Sequence, residues 1–166
     1  MTRRHGRLAL GGGLAATILA GCGGTSNPVV TFSAPPAAVV PSTLSVEPSP
    51  EGPIVATGSG YTLYEFTTDT ASKSTCVTSA CILEWPPVIA HGTPTTARGL
   101  EQGLVGTIGR PDGSRQVTYS GHPLYRWNPD VKPGMVTGQA VSNEGGTWYV
   151  VDPAGRPITT PFSVPS

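Results

Sequence analysis

A chain of 166 residues holds one domain or two very small ones. With 22 Gly, 18 Pro and only 12% charged residues, it is not a coiled coil, a collagen, a multi-pass membrane protein or a basic nucleic-acid binder. The formal net charge of zero hides an asymmetry, because Arg3, Arg4 and Arg7 precede every acid and the first acid is Glu47. Removing those arginines leaves seven basic residues against ten acidic ones, with no electrostatic footprint for nucleic acid or for an anionic bilayer.

The N-terminus reads as an address. Arg3-Arg4-His5-Gly6-Arg7 is a positive n-region, and Leu8–Ala20 is an apolar run broken only by Gly11-Gly12-Gly13 and Thr17. Spanning a bilayer takes roughly 20 apolar residues, so the pattern predicts a signal peptide over 1–21. Leu19-Ala20-Gly21-Cys22 matches the bacterial lipobox at every position. That resemblance implies cleavage before Cys22, a diacylglycerol thioether on its sulfur and acylation, palmitate-like, of its new amine. The plain alternative is a free cysteine beside an ordinary cleavage site. Thr2-Arg3-Arg4 is similar to a twin-arginine signal, but Gly6 stands where that signal has an apolar side chain.

Residues 22–53 are expected to form the lipidated cysteine and a Pro/Ser/Thr-rich linker. Seven prolines (28, 35, 36, 41, 48, 50 and 53) remove donors and fix φ, so neither helix nor sheet is expected through it. Val29–Phe32 is a candidate stray strand, not counted among the expected ones.

From residue 54 to 162, short apolar stretches alternate with turn signals about every ten residues, which is an all-β pattern. Strands are expected at Ile54–Thr57, Thr62–Thr67, Pro87–Ala90, Val105–Ile108, Arg115–Ser120, Pro123–Trp127 and Thr147–Asp152, with Pro157–Thr160 as a weaker one. Arg110-Pro111-Asp112-Gly113 supplies the turn of a hairpin, and Pro153-Ala154-Gly155 a second turn. The only helical turn expected is at Ala97–Gln102, and residues 163–166 are a tail.

An internal repeat is the most informative feature. Gly60-Tyr61-Thr62-Leu63-Tyr64-Glu65-Phe66-Thr67-Thr68-Asp69 aligns with Gly121-His122-Pro123-Leu124-Tyr125-Arg126-Trp127-Asn128-Pro129-Asp130 without a gap. A tryptophan follows each copy, Trp85 and Trp148. The repeats are expected at about 57–90 and 117–155. On Tyr64, Phe66 and Asp69, and again on Tyr125, Trp127 and Asp130, the chain resembles the bacterial secreted-repeat lipoproteins of unknown function, which carry paired Tyr-x-(Phe/Trp/Tyr)-x-x-Asp motifs. Cys76 and Cys81 leading to Trp85-Pro86-Pro87, and then Arg110-Pro111-Asp112-Gly113, are similar too. The resemblance covers residues 55–155 and implies architecture without an activity.

Few residues suggest chemistry. Cys76 and Cys81 are an even pair in an exported chain, so a small structural disulfide loop is expected; the rival is a redox dithiol or metal pair. His91 and His122 fall in no spaced ligand cluster. Ser120 and His122 lack a nucleophile elbow. A metal site from His122 with Asp69 or Asp130 is the sharper alternative. Tyr64 and Phe66 share one strand face, as do Tyr125 and Trp127, while Leu63 and Leu124 point the other way. These rings are expected to be core, the rival being an aromatic cleft, and Asp69 and Asp130 are expected to bond their own loops. The expectation is therefore a compact antiparallel, sandwich-like β domain of two pseudo-symmetric repeats with little helix. It is a non-enzymatic lipoprotein on the extracytoplasmic face of the cell membrane, needing no cofactor. Its partners are the bilayer, through Cys22, and an envelope protein or small ligand. The alternative is a metal-binding or redox accessory lipoprotein.

Overall fold

The computed structural model describes residues 42–159. The signal peptide, Cys22, Val29–Phe32, Thr160 to Phe162 and the tail lie outside the described residues. The elements in chain order are β1 (Thr43–Ser49), β2 (Gly52–Thr57), β3 (Tyr64–Phe66), α1 (Ser79–Glu84), β4 (Thr95–Thr96), β5 (Val105–Gly109), β6 (Arg115–Tyr119), β7 (His122–Pro123), β8 (Ser142–Asn143) and β9 (Gly146–Val150). A 3-10 turn over Gln102–Leu104 precedes β5. No helix among the described residues is long and apolar enough to cross a membrane.

The fold is nearly all β, in three small sheets of order β2-β1-β4, β3-β9-β8 and β5-β6-β7. Pairing is antiparallel except between β1 and β4. The expected hairpin is β5–β6. Arg110 N–H bonds the Ser114 carbonyl, Asp112 accepts from Ser114 N–H at 2.9 Å, and Gly113 sits at φ +82°.

Two expectations are corrected. The linker does not extend to Pro53, because Thr43–Ser49 pairs with β2 from Leu44↔Thr57 to Ser49↔Gly52. Pro48 and Pro53 face each other in that register, and Pro50 lies in the connection between the strands. A proline at the end of an edge hairpin removes little hydrogen bonding. Secondly, α1 forms where no helix was expected. Its six residues lie within and just beyond the Cys76–Cys81 loop, and Thr78 caps it by accepting from Cys81 N–H at 3.2 Å. The helical turn expected at Ala97–Gln102 falls slightly later, as the 3-10 turn.

Other strands are shorter than expected. Ladder pairing is confined to Tyr64–Phe66 within Thr62–Thr67, and to single bridges along Pro87–Ala90 and at Tyr125. All three residues of β3 are buried, and the segment Leu63–Phe66 alternates between two cores. Tyr64 and Phe66 join Ile54, Cys76, Cys81, Trp85, Tyr125, Trp148 and Val150 in an aromatic cluster. Leu63 and Leu124 point the other way into an aliphatic one with Leu44, Val55, Val117, Tyr119 and Val151. The period-2 reading of these strands thus holds.

Candidate functional site

The two motif copies meet at their first tyrosines. Tyr64 N–H bonds the Tyr125 carbonyl and Tyr125 N–H bonds the Tyr64 carbonyl, both at 2.9 Å. This reciprocal bridge marks a local pseudo-twofold axis, and almost every motif side chain crosses it. Tyr64 Oη donates to Asp130 Oδ2 and Tyr125 Oη to Asp69 Oδ2, each at 2.6 Å. The other oxygen of each acid holds its own loop. Asp69 Oδ1 accepts from Thr75 N–H and hydroxyl, and Asp130 Oδ1 from Thr137 N–H and hydroxyl. The expectation that each acid bonds its own loop is half of the arrangement; the other half is exchanged between repeats.

The rings repeat the exchange. Phe66 stacks on Trp148 (3.9 Å, 9°), Trp148 on Trp85 (4.0 Å, 5°) and Trp85 against Trp127 (4.1 Å, 31°). Tyr64 sets its edge on Trp85 and Tyr125 its edge on Trp148. Both indole N–H groups converge on Asn143 Oδ1, which sequence reasoning missed. Lone asparagines carry no periodic signal; only its place two residues before Gly145, in the tight β8–β9 turn, marked Asn143 as positioned. The outer positions exchange as well. The Arg126 guanidinium lies 4.1 Å over the Tyr61 ring, and His122 Nδ1 stands 3.5 Å from Glu65 Oε2. A Cβ on Gly60 would meet Pro133 at 3.1 Å, and one on Gly121 would meet Ala71 at 3.3 Å; both glycines have φ above +80°. That is why each copy opens on glycine.

The structure therefore brings Tyr64, Phe66, Asp69, Tyr125, Trp127 and Asp130 together, with Tyr64, Phe66, Tyr125 and Asp130 buried and Asp69 and Trp127 at the half-buried rim. It does not place His122 with Asp69 or Asp130, because those acids already accept from tyrosine and threonine while His122 faces Glu65. No group of three or more His, Cys, Asp or Glu side chains that could hold a metal occurs among the described residues. Grooves of about 520 Å³ beside Ser42–Leu44 and about 310 Å³ beside Lys73 are lined by none of the six motif residues.

One buried cation was missed. Arg110 lies in the core rather than on its turn, donating to Ser74 Oγ at 2.8 Å, Gln116 Oε1 at 2.5 Å and the Cys76 carbonyl at 2.9 Å. Ser74 Oγ is 2.6 Å from Tyr125 Oη. The Tyr125 proton is directed at Asp69, so Ser74 donates to Tyr125. A directed chain of hydrogen bonds thus runs from guanidinium through serine and phenol to carboxylate, and joins opposite charges without a direct ion pair.

Burial raises Tyr64 and Tyr125 above the ordinary phenol range, and the facing carboxylates push in the same direction. Unfolded tyrosines ionise near pH ~10 while these keep their protons, so the folded state binds more protons above that pH. Stability is complete below about pH 10 and falls as pH rises, by about 3 kcal/mol per pH unit for the two together. Alkaline titration is expected to release both phenolates in one cooperative step, coincident with loss of near-ultraviolet circular dichroism. Their reversible ionisation in folded protein would contradict this.

Cys76 and Cys81 form a disulfide with Cα atoms 5.5 Å apart, both sulfurs inside the aromatic cluster. Its loop is short, so reduction is expected to destabilise the domain by about 2 kcal/mol, read from denaturant midpoints with and without reductant. Ready alkylation of both thiols without reductant would count against the bond.

No curated protein and no solved structure matches the chain. A family model described as a secreted repeat of unknown function matches residues 46–89 and 106–152. Each matched segment starts in a hairpin, β1–β2 or β5–β6, then runs through a motif copy and ends just after its tryptophan in the first repeat and after Trp148 in the second. The two matches cover more than half of the chain, which therefore belongs to this family of secreted repeats.

Proposed function

We propose that the protein is a lipid-anchored, non-enzymatic module that carries its two-repeat β domain outside the cytoplasmic membrane and works there by binding an envelope component. One observation carries the non-enzymatic reading. The groups that look chemically capable, two phenols and two carboxylates, are bonded to one another, with Asp69 alone of the four partly exposed. A general acid or base must reach substrate, and Tyr64, Tyr125 and Asp130 are fully buried. Binding is left to the outer surface and its shallow grooves.

The anchor rests on the N-terminal sequence: a basic start, an apolar run too short to span, and Leu19-Ala20-Gly21-Cys22. Two or more acyl chains hold a protein stably on a bilayer, whereas one holds it reversibly. In this reading the four prolines between Cys22 and Ser42 serve as a spacer, since proline-rich sequence favours extended backbone. Cys22→Ala is expected to leave an unprocessed precursor or to release protein from the membrane, as judged by fractionation and intact mass. Normal processing with membrane retention in that variant would overturn the anchor.

A further inference from the structure

The closure that keeps the motif from a substrate suits it to another task. Three indoles touch in one column, and a hydrogen-bonded phenol stands edge-on to each of the two inner ones, with ring centroids 5.4 Å apart for Tyr64–Trp85 and 5.0 Å for Tyr125–Trp148. Indole and phenol are, with the free thiol, the side chains most readily oxidised by one electron, and Cys76 and Cys81 are tied in a disulfide. We propose that this column is a one-electron relay, in which an oxidising equivalent enters at Trp127 and comes to rest on Tyr64 or Tyr125.

The geometry supports each step. Trp127 is the half-buried end of the column, where an oxidant in solution meets it. Phe66 closes the other end, and a phenyl ring is too hard to oxidise to drain the column there. Trp85 and Trp148 both donate their N–H to Asn143 Oδ1, a neutral amide and not a base. An oxidised Trp85 or Trp148 therefore keeps its proton and passes the deficit on. Each phenol, in contrast, has a carboxylate at 2.6 Å that takes its proton as the electron leaves. The end state replaces a buried carboxylate beside a phenol by two neutral groups, a tyrosyl radical and a carboxylic acid, which a low-dielectric interior favours over an indole cation. Gly138 N–H, 3.2 Å from Tyr64 Oη, continues to donate to the radical oxygen.

The balance is simple. Trp127 gives one electron to a one-electron oxidant of the metal-complex or small inorganic-radical class, which is reduced by one. Trp85 refills Trp127, Tyr64 refills Trp85, and the Tyr64 hydroxyl proton moves to Asp130 Oδ2. The Tyr64 O–H bond breaks, the Asp130 O–H bond forms, and no other bond changes. A thiol or enediol reductant gives one electron to the column and its proton to water, ending as a thiyl or enediol radical, while Asp130 returns its proton to Tyr64. Through Trp148, Tyr125 and Asp69 perform the same exchange. This reading is independent of the anchor and of any surface ligand.

The test uses the full chain in detergent, oxidised by a photogenerated ruthenium(III) polypyridyl complex and followed by transient absorption and freeze-quench electron paramagnetic resonance. A neutral tyrosyl radical is expected, forming more slowly in deuterated solvent because proton and electron move together. Tyr64→Phe with Tyr125→Phe is expected to lose that signal and show an indole radical. Trp127→Phe, a change at the half-buried rim, is expected to slow tyrosyl formation in folded protein. A tyrosyl signal that survives the double substitution, or formation indifferent to both deuterium and Trp127→Phe, would overturn the relay. Should the double variant not fold, the last two measurements decide alone.

Discussion

Asp130→Ala is expected to destabilise the domain by about 3 kcal/mol, and Asp69→Ala by about 1 kcal/mol. The two acids make the same three bonds, so the difference lies in what replaces them. Asp130 is 1% exposed, and its loss strands the Tyr64 hydroxyl in the core, whereas the exposed Thr137, like Thr75, turns to water. A buried donor left unpaired costs about 1–3 kcal/mol. Asp69 is partly exposed and its Thr75 donors face solvent, so water takes over most of its role. Chemical denaturation of each variant gives the two values. A cycle with Tyr64→Phe isolates the bond across the axis, because the phenylalanine no longer needs the carboxylate. Equal losses from the two alanine variants would show that burial of the carboxylate does not set the cost, and zero coupling in the cycle would show that the exchange between repeats adds nothing to local loop bonding.

How much of this was legible depended on whether the signal was periodic. The alternation of Leu63, Tyr64 and Phe66, and of Leu124, Tyr125 and Trp127, fixed which side chains share a face, and the two cores follow it. The ungapped alignment also held the missing strand. Moving Val105–Gly109 back by the repeat offset lands on Leu44–Pro48, inside β1, yet the prolines of that stretch read as linker. Proline density is a local cue. The edge of a hairpin tolerates it, and the repeat was the stronger evidence. What no linear cue could show is the exchange. Tyr64 lies five residues from Asp69 and sixty-six from Asp130, and it bonds the distant one. Nor could composition reveal that Arg110 of the turn reaches inward; its partners Ser74 and Cys76 come from the other repeat.

The exchange has a consequence for the fold as a whole. Each repeat supplies a phenol, an acid, a ring and a tryptophan, and each of these meets the other repeat, while the tyrosine-on-tryptophan edges and the threonine bonds of each acid stay within one repeat. A lone repeat would leave a phenol without its acid and its inner indole bare on both faces. The stability of the domain is therefore joint. Where the copies differ, the first carries the disulfide and α1, while the second carries the β8–β9 hairpin that holds Asn143 over both indoles.

Trp148→Ala is expected to have the largest effect of a single change, about 4 kcal/mol, with a fall in melting temperature of about 20 °C. Trp148 is fully buried and central in the column, with Phe66 on one face, Trp85 on the other and the Tyr125 edge against it. Removing it leaves a cavity the size of an indole between flat rings that β3, β9 and the disulfide loop hold apart, so collapse is limited and the lost contacts are not remade. It also leaves Asn143 with one donor in place of two. Trp127→Ala touches the same column at its half-buried end, where one face already meets solvent, and is expected to lose less than half as much. Trp148→Phe keeps a ring in the slot and should fall between them. Thermal unfolding followed by near-ultraviolet circular dichroism reads stability and the stacked indole signal in one experiment. A Trp148→Ala protein that melts with Trp127→Ala would mean that the column packs loosely and that its central ring is no more than one apolar side chain among many.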